Sequence, residues 1–185
     1  MPRSPPRSRT RSGTRWPRST WAWRGSAKPS SAGESSAAEQ AGRAIAWATA
    51  QCGNPDYALR CLAFVEDAYE RSNAIELQGA PSAAESAALY DLQAYDTDSP
   101  PPAGAYVFYA CGGPVDGVRR EWGHVGLAIG DGSVVHAWDV VRLDDARAVC
   151  VQPPAPGWDA PRLIGWATPA QVLRGHISRD WDAAS

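Results

Sequence analysis

A proline-rich segment at residues 98–104 divides the chain into two parts with different hydrophobic periodicity. Before this segment, apolar residues recur every three or four positions, which is the spacing of amphipathic helices. After it, short runs of β-branched and aromatic residues alternate with turn residues, as in antiparallel strands. Helices followed by strands predict an α+β fold, in which the helices pack on one face of a five- to six-stranded antiparallel sheet.

Three helices are predicted before the proline-rich segment. Ser36 with Glu39, and Ser82 with Glu85, have the spacing of capping boxes and mark the starts of the first and third helices. The predicted helices cover residues 36–52, 60–72 and 82–92, and a short helix follows at 168–174. The predicted strands cover residues 105–110, 124–129, 133–138, 140–143, 148–151 and 162–167.

Residues 1–35 form a basic tail rich in Arg, Ser and Pro. Eight of the 18 basic residues precede Glu34, the first acidic residue, so the rest of the chain is strongly acidic. A segment of this composition cannot bury enough surface to offset its chain entropy. We predict a disordered tail at 1–35, a folded domain at 36–176 and a C-terminal tail at 177–185. The basic run is interpreted as a solvated extension, without a nucleic-acid partner.

The remaining 150 or so residues suit one domain with its own core, which we expect to be monomeric. No stretch approaches the roughly 18 consecutive apolar residues of a transmembrane helix, so no membrane span is predicted. The N-terminus also lacks the apolar run of roughly 7–15 residues that a secretory signal contains.

Cys61, His124 and His136 form the candidate catalytic group. Cys61 lies in the first turn of the second predicted helix, where free N–H groups and the helix dipole favour a thiolate. The turn at residues 130–132 places the two histidines on neighbouring antiparallel strands. If this turn centres on position 131, His136 lies diagonal to His124, roughly 7–8 Å away at Cα. A thiol, a base and a group that orients the base are the components of nucleophilic catalysis.

These residues resemble the NlpC-type cell-wall peptidases of the papain-like superfamily over roughly residues 40–174. The resemblance lies in three segments: a helix-opening cysteine with an apolar sequel, CLAFV at 61–65; a strand with a Pro-Gly-rich approach, PAGAYVF at 102–108; and HVGLAIG at 124–130 leading to VHA at 135–137.

The resemblance implies a papain-like fold and a cysteine-dependent hydrolase that cleaves amide bonds in peptidoglycan stem peptides. Cys61, His124 and His136 take the three catalytic positions, and Tyr57 matches a family tyrosine near the oxyanion site. No cofactor or metal is implied. Family members act outside the cell, so the resemblance implies a secreted or cell-wall-associated protein, although no signal peptide is recognisable.

Several side chains have further candidate roles. Trp122 and Trp138 flank the two histidines and are candidates for the wall of a substrate groove. Arg119 and its neighbour Arg120 are candidates to bind substrate carboxylates, or they belong to a solvated loop. Asp139 is a second candidate for the group that orients His124.

The cysteines leave alternatives open. Cys61 can pair with Cys52, and Cys111 with Cys150 can form a disulfide or remain two buried thiols. A zinc site of Cys52, Cys61 and the two histidines is a less favoured alternative. The domain can also be a noncatalytic peptide-binding module, or an amidase or acyltransferase on another substrate. An activated Cys61 should react with iodoacetamide well below pH ~8, whereas an inert thiol should not.

Overall fold

The computed structural model describes residues 31–181, with side chains from residue 36 onward. It has an α+β architecture, as the order of the two periodicities predicts. None of the described helices combines the length and apolar character that crossing a membrane requires. The helices are α1 (Ser31–Ala50), α2 (Cys61–Asn73), α3 (Ala83–Ala87), α4 (Pro169–Val172) and a 3-10 helix (Ala148–Val151). The strands are β1 (Ile75–Glu76), β2 (Tyr106–Ala110), β3 (Gly112–Val115), β4 (Val118–Glu121), β5 (His124–Ala128), β6 (Ser133–Ala137), β7 (Val141–Asp145), β8 (Arg162–Ala167) and β9 (Ile177–Ser178).

Five of these strands form one antiparallel sheet in the order β7-β6-β5-β2-β8. This confirms the predicted antiparallel sheet, with five strands. The turn between β5 and β6 contains Gly130 and Gly132 at φ of 98° and 94°. L-amino acids with a Cβ rarely adopt that backbone region, which explains why glycine occupies both positions.

The α-helices cover one face of the sheet, and loops together with the 3-10 helix cover the other face. Alternate residues of a strand face opposite sides. On β2, Tyr106 packs in the core that contains α1 and α2, and its hydroxyl donates a hydrogen bond to the Val65 carbonyl at 2.8 Å. Tyr109 packs in a second core with Val149 of the 3-10 helix, and its hydroxyl donates to the Ala146 carbonyl at 2.9 Å. Both buried hydroxyls therefore have partners.

The prediction of a sixth strand at residues 148–151 is wrong, because this segment is a 3-10 helix. The carboxylate of Asp145 accepts hydrogen bonds from the N–H groups of Arg147 and Ala148, at 2.8 and 3.2 Å, and turns the chain out of β7. Val149 is buried whereas Val151 is exposed. This alternation has the period of a strand, although tertiary packing produces it here.

The helix boundaries differ from the prediction at two places. Helix α1 begins at Ser31, five residues before the predicted start at Ser36. The rest of the predicted tail, residues 1–30, lies outside the described residues. Helix α3 ends at Ala87 and not near residue 92, because Gln93 exchanges two backbone hydrogen bonds with Trp166 of β8, at 2.8 and 3.0 Å. That pairing requires extended backbone.

Two additional two-stranded sheets were not predicted. Strands β3 and β4 pair within the segment that the sequence pattern indicated as a long loop. Strand β9 pairs with β1, and the Trp181 indole donates a hydrogen bond to the Ile75 carbonyl at 2.9 Å. Residues 177–181 of the predicted C-terminal tail therefore pack on the domain, and residues 182–185 lie outside the described residues.

Candidate active site

Cys61 is the first residue of helix α2, as the sequence pattern predicts. The first N–H groups of any helix lack partners within the helix. Here the N-cap residue, Arg60, makes no capping hydrogen bond through its side chain. The loop before α2 is bound to the sheet, because Gly53 donates to the Val141 carbonyl at 2.7 Å and Val141 donates to the Asn54 carbonyl at 2.9 Å. These bonds fix the loop that leads to Cys61 against the start of β7.

His124 and His136 lie on adjacent strands in the predicted register. Gly126 of β5 pairs with His136 of β6, so His124 is the diagonal neighbour of His136. The ring centroids are 5.0 Å apart, and His124 Nε2 lies 2.9 Å from His136 Nδ1. A Cβ atom on Gly126 would lie 3.2 Å from the His136 Cβ. The glycine thus leaves space beside the ring that contacts His124.

Asp144 of β7 is the residue that contacts His136, and the sequence analysis missed it. His136 Nε2 lies 3.0 Å from Asp144 Oδ2, which also accepts a hydrogen bond from Gln152 at 2.7 Å. Arg142 forms an ion pair with the same carboxylate. Asp139, the candidate named from sequence, is 72% exposed and has an Arg142 nitrogen at 3.8 Å. His136, and not Asp139, therefore contacts His124, and Asp144 contacts His136 in turn.

Cys61 and His124 line the same cavity, which has a volume of about 750 Å³. Cys61 contributes from the helical layer, and His124 contributes from the sheet. His136 is fully buried behind His124 and does not line the cavity. The three predicted catalytic residues are thus in one region, and only the thiol and the first imidazole line the open space.

The hydrogen bonds define which ring nitrogens carry protons. Burial acts to raise the pKa of Asp144, but the hydrogen bonds from His136, Arg142 and Gln152 outweigh it and hold that pKa below its ordinary value. An ionised carboxylate only accepts hydrogen bonds, so His136 donates from Nε2. Neutral His136 then accepts at Nδ1, and His124 donates from its own Nε2. This leaves Nδ1 of His124 free to accept a proton.

Burial keeps Cys61 and His124 neutral in the free protein. It raises the pKa of the Cys61 thiol to about 11, although backbone groups of Val125 and Leu62 act in the opposite direction. Burial and the nearby His136 ring lower the pKa of His124 well below its ordinary value. From the sequence, we expected the helix terminus to determine the pKa of Cys61 and to favour the thiolate. In the structure, desolvation has the larger effect on the pKa of Cys61. Burial disfavours the charged thiolate, and this outweighs the stabilisation by the helix terminus.

We expect Cys61 to react slowly with iodoacetamide at neutral pH. With a thiol pKa of about 11, only about one molecule in 10⁴ carries the thiolate at pH 7. The alkylation rate should rise about tenfold per pH unit up to about pH 11, as measured by mass spectrometry of the peptide that contains Cys61. A rate that levels off below pH 8 would contradict the dominance of burial.

The structure brings some of the predicted substrate-contacting residues to the cavity and not others. Trp122 and Trp138 line it, and the Trp138 and His124 rings stack edge to face at 5.1 Å. Arg119 does not line the cavity, because its guanidinium binds Asp159 at 2.7 Å. Tyr57 also lies elsewhere, with its hydroxyl donating to Asp67 at 2.7 Å.

All four cysteines are free thiols. Cys52 is exposed and unpaired with Cys61, and Cys111 and Cys150 form no disulfide with each other. Cys111 is buried and lines the same cavity as Cys61. Within residues 31–181, no group of three or more His, Cys, Asp or Glu side chains is arranged to hold a metal ion.

The comparison with known proteins leaves the assignment to the geometry. No protein-family model matches the chain, and no curated protein is significantly similar to it. The arrangement of one thiol, two linked imidazoles and one carboxylate is therefore the basis for the function proposed next.

Proposed function

We propose that this protein is a cysteine-dependent hydrolase that cleaves amide bonds, with Cys61 as the nucleophile. One observation carries the proposal. Cys61 and His124 line one cavity, and His124 begins a series of hydrogen bonds. His124 bonds to His136 at 2.9 Å, and His136 bonds to Asp144 at 3.0 Å. Each link in this series can fix the proton position of the next. A noncatalytic core histidine does not require such a series.

The mechanism starts from the neutral pair. As the Cys61 sulfur attacks the carbonyl carbon, Nδ1 of His124 takes the thiol proton, and the N–H groups at the start of α2 stabilise the oxyanion. The protonated His124 then gives its proton to the leaving amine, and an acyl-enzyme forms on the sulfur. His124 then takes a proton from water as the water oxygen attacks the thioester carbon. The ring returns this proton to the departing sulfur, which releases the acid and the free thiol. His136, held by Asp144, accepts a hydrogen bond from Nε2 of His124 and keeps Nδ1 of that ring directed to the reacting groups in both steps.

The resemblance to the NlpC-type peptidases makes peptidoglycan stem peptides the first substrate class to test. By the same resemblance, the expected place of action is the cell wall. The order of a helix-opening cysteine followed by two sheet histidines supports a papain-like assignment, as does the packing of α1 and α2 on one side of the sheet.

A noncatalytic peptide-binding module is the second candidate, and the protonation state of Cys61 favours it. A thiol whose pKa is raised to about 11 is a weak nucleophile until a base takes its proton. Three tryptophans line the cavity and would also serve binding alone, since Trp contributes large apolar contacts.

Incubation with purified stem peptides distinguishes the two candidates. The hydrolase should release fragments with new amino termini, detected by liquid chromatography and mass spectrometry. The matched control is Cys61→Ala, which should bind peptide and release nothing. Binding without fragments by the wild-type protein, for stem peptides and for a mixed pool of peptide amides, would favour the binding module and contradict the hydrolase.

A further inference from the structure

The cavity beside Cys61 has a predominantly apolar wall. Its lining includes Trp122, Trp138 and Trp158, together with Pro153, Pro154 and Leu59. Its volume of about 750 Å³ falls in the range of roughly 300–1,000 Å³ that small-molecule sites occupy. A wall of this kind gains most from burying apolar surface of a ligand.

Charged groups in the cavity do not complement an anionic ligand. Among the described residues that line it, Arg60 is basic, whereas Glu66 and Asp139 are acidic. His124 adds no positive charge, because burial lowers its pKa well below the ordinary value. A substrate with several carboxylates would therefore lose its hydration without gaining matching cations.

The two arginines that were candidates to bind substrate carboxylates contact the protein itself. Arg119 binds Asp159, and it also donates to the Gly157 carbonyl. The Arg120 guanidinium lies over the Trp122 ring at 3.7 Å, with a Glu85 oxygen at 3.9 Å. Neither arginine lines the cavity.

We propose that the substrate's acyl group is uncharged and apolar, an aliphatic or aromatic chain that packs on the tryptophan wall while its carbonyl carbon meets Cys61. This inference rests on the proposed function, and it narrows the substrate to hydrophobic carboxylic amides. It favours the amidase alternative over cleavage of acidic stem peptides. Trp158 is the specificity residue that the sequence analysis did not single out.

N-alkylmaleimides test the wall without any need for turnover. The Cys61 sulfur adds to the maleimide double bond, and solvent supplies the proton to the neighbouring carbon. In a Cys52→Ser background, which removes an exposed thiol, N-hexylmaleimide should label Cys61 at least tenfold faster than N-ethylmaleimide, relative to glutathione. Full burial of each added methylene would raise the labelling rate by up to roughly fourfold. N-(5-carboxypentyl)maleimide, which carries an anionic end, should lose most of this gain.

A matched pair of variants identifies the wall. Trp158→Ala should reduce the chain-length gain at least threefold, whereas Val151→Ala, an exposed residue outside the cavity, should leave it unchanged. Equal labelling rates for the ethyl and hexyl reagents in the Cys52→Ser protein would overturn the inference, whatever the variants do.

Hydrolysis of two 4-nitroanilides separates this inference from the proposed function. Hexanoyl and glutaryl 4-nitroanilide have similar length, and the glutaryl compound ends in a carboxylate. We expect kcat/KM at least tenfold higher for the hexanoyl compound, with no release by Cys61→Ala. Release that requires Cys61 but does not favour the hexanoyl compound would overturn the inference and leave the hydrolase intact. Absence of release from both compounds and from stem peptides would overturn both.

Discussion

Replacement of Cys61 by alanine should lower kcat by about 10⁴-fold or more and leave the protein folded. The sulfur is the only protein atom in the proposed mechanism that forms a covalent bond with the substrate, so no other side chain replaces it. Alanine keeps the Cβ atom and introduces no charge. Because burial keeps the Cys61 thiol neutral, its removal does not leave an unpaired ion in the cavity. Turnover of the amide that the wild-type protein cleaves best measures the effect.

Cys52→Ala is the matched control, since Cys52 is exposed and outside the cavity. This variant should retain wild-type kcat and KM. Circular dichroism should give the same spectrum for both variants and the wild type. If Cys61→Ala kept more than a tenth of the activity, Cys61 would not be the nucleophile and a different group would have to form the bond.

Replacement of Asp144 by asparagine should lower kcat by about 10²–10⁴-fold with little change in KM. Asparagine can donate a hydrogen bond to His136 Nε2, which the ionised carboxylate cannot do. The proton order along the series then reverses, and His124 presents an N–H to the thiol where the mechanism needs an acceptor. The expected magnitude is the range that a positioned general base contributes.

Asp131→Asn is the matched control, because it makes the same chemical change at an exposed residue outside the cavity, and the amide oxygen can still accept the hydrogen bond from the Ser133 N–H. It should retain activity within about twofold. The ¹⁵N shifts of the histidine rings provide a second measurement: the His124 tautomer should change in Asp144→Asn and stay the same in Asp131→Asn. An unchanged tautomer with full activity in Asp144→Asn would contradict the role of the carboxylate.

The register between β5 and β6 was predictable from the sequence, and the reason is local. Asp131 and Gly132 form a tight turn, and residues that pair across a hairpin have numbers with a constant sum. The pairing of Gly126 with His136 confirms the predicted centre at position 131. The same dipeptide at Asp116 and Gly117 joins β3 to β4, with φ of 50° and 78°. That turn carries the same sequence signal, but its strands have only four residues each, and β4 exposes all of its residues and lacks the apolar alternation that indicates a strand.

The contact between Asp144 and His136 also follows from strand register. His136 pairs with Arg142 across β6 and β7, so Asp144, two positions further, faces the same side of the sheet. The turn between these strands lacks glycine, and the Trp138 N–H closes it on the Val140 carbonyl at 3.0 Å. Without a turn dipeptide to centre the hairpin, the sequence does not indicate that Asp144 faces His136.

Electrostatics was the part that no sequence pattern could supply. The position of Cys61 at a helix start was correct, and the helix start favours a thiolate in water. Whether that effect dominates depends on how much protein surrounds the sulfur, which is a property of tertiary packing. The partner of Arg119 could not be predicted for the same reason. Asp159 lies 40 positions away in the sequence, and tertiary folding brings the two side chains together.

Intact-protein mass spectrometry after rapid acid quenching tests the central claim most directly. Mixed with hexanoyl 4-nitroanilide, the wild-type protein should gain the mass of one hexanoyl group, and peptide mapping should locate that group on Cys61. His124→Ala should abolish this adduct, because no base would remain to take the thiol proton. Product release without any adduct on Cys61, or an adduct on another residue, would contradict the account.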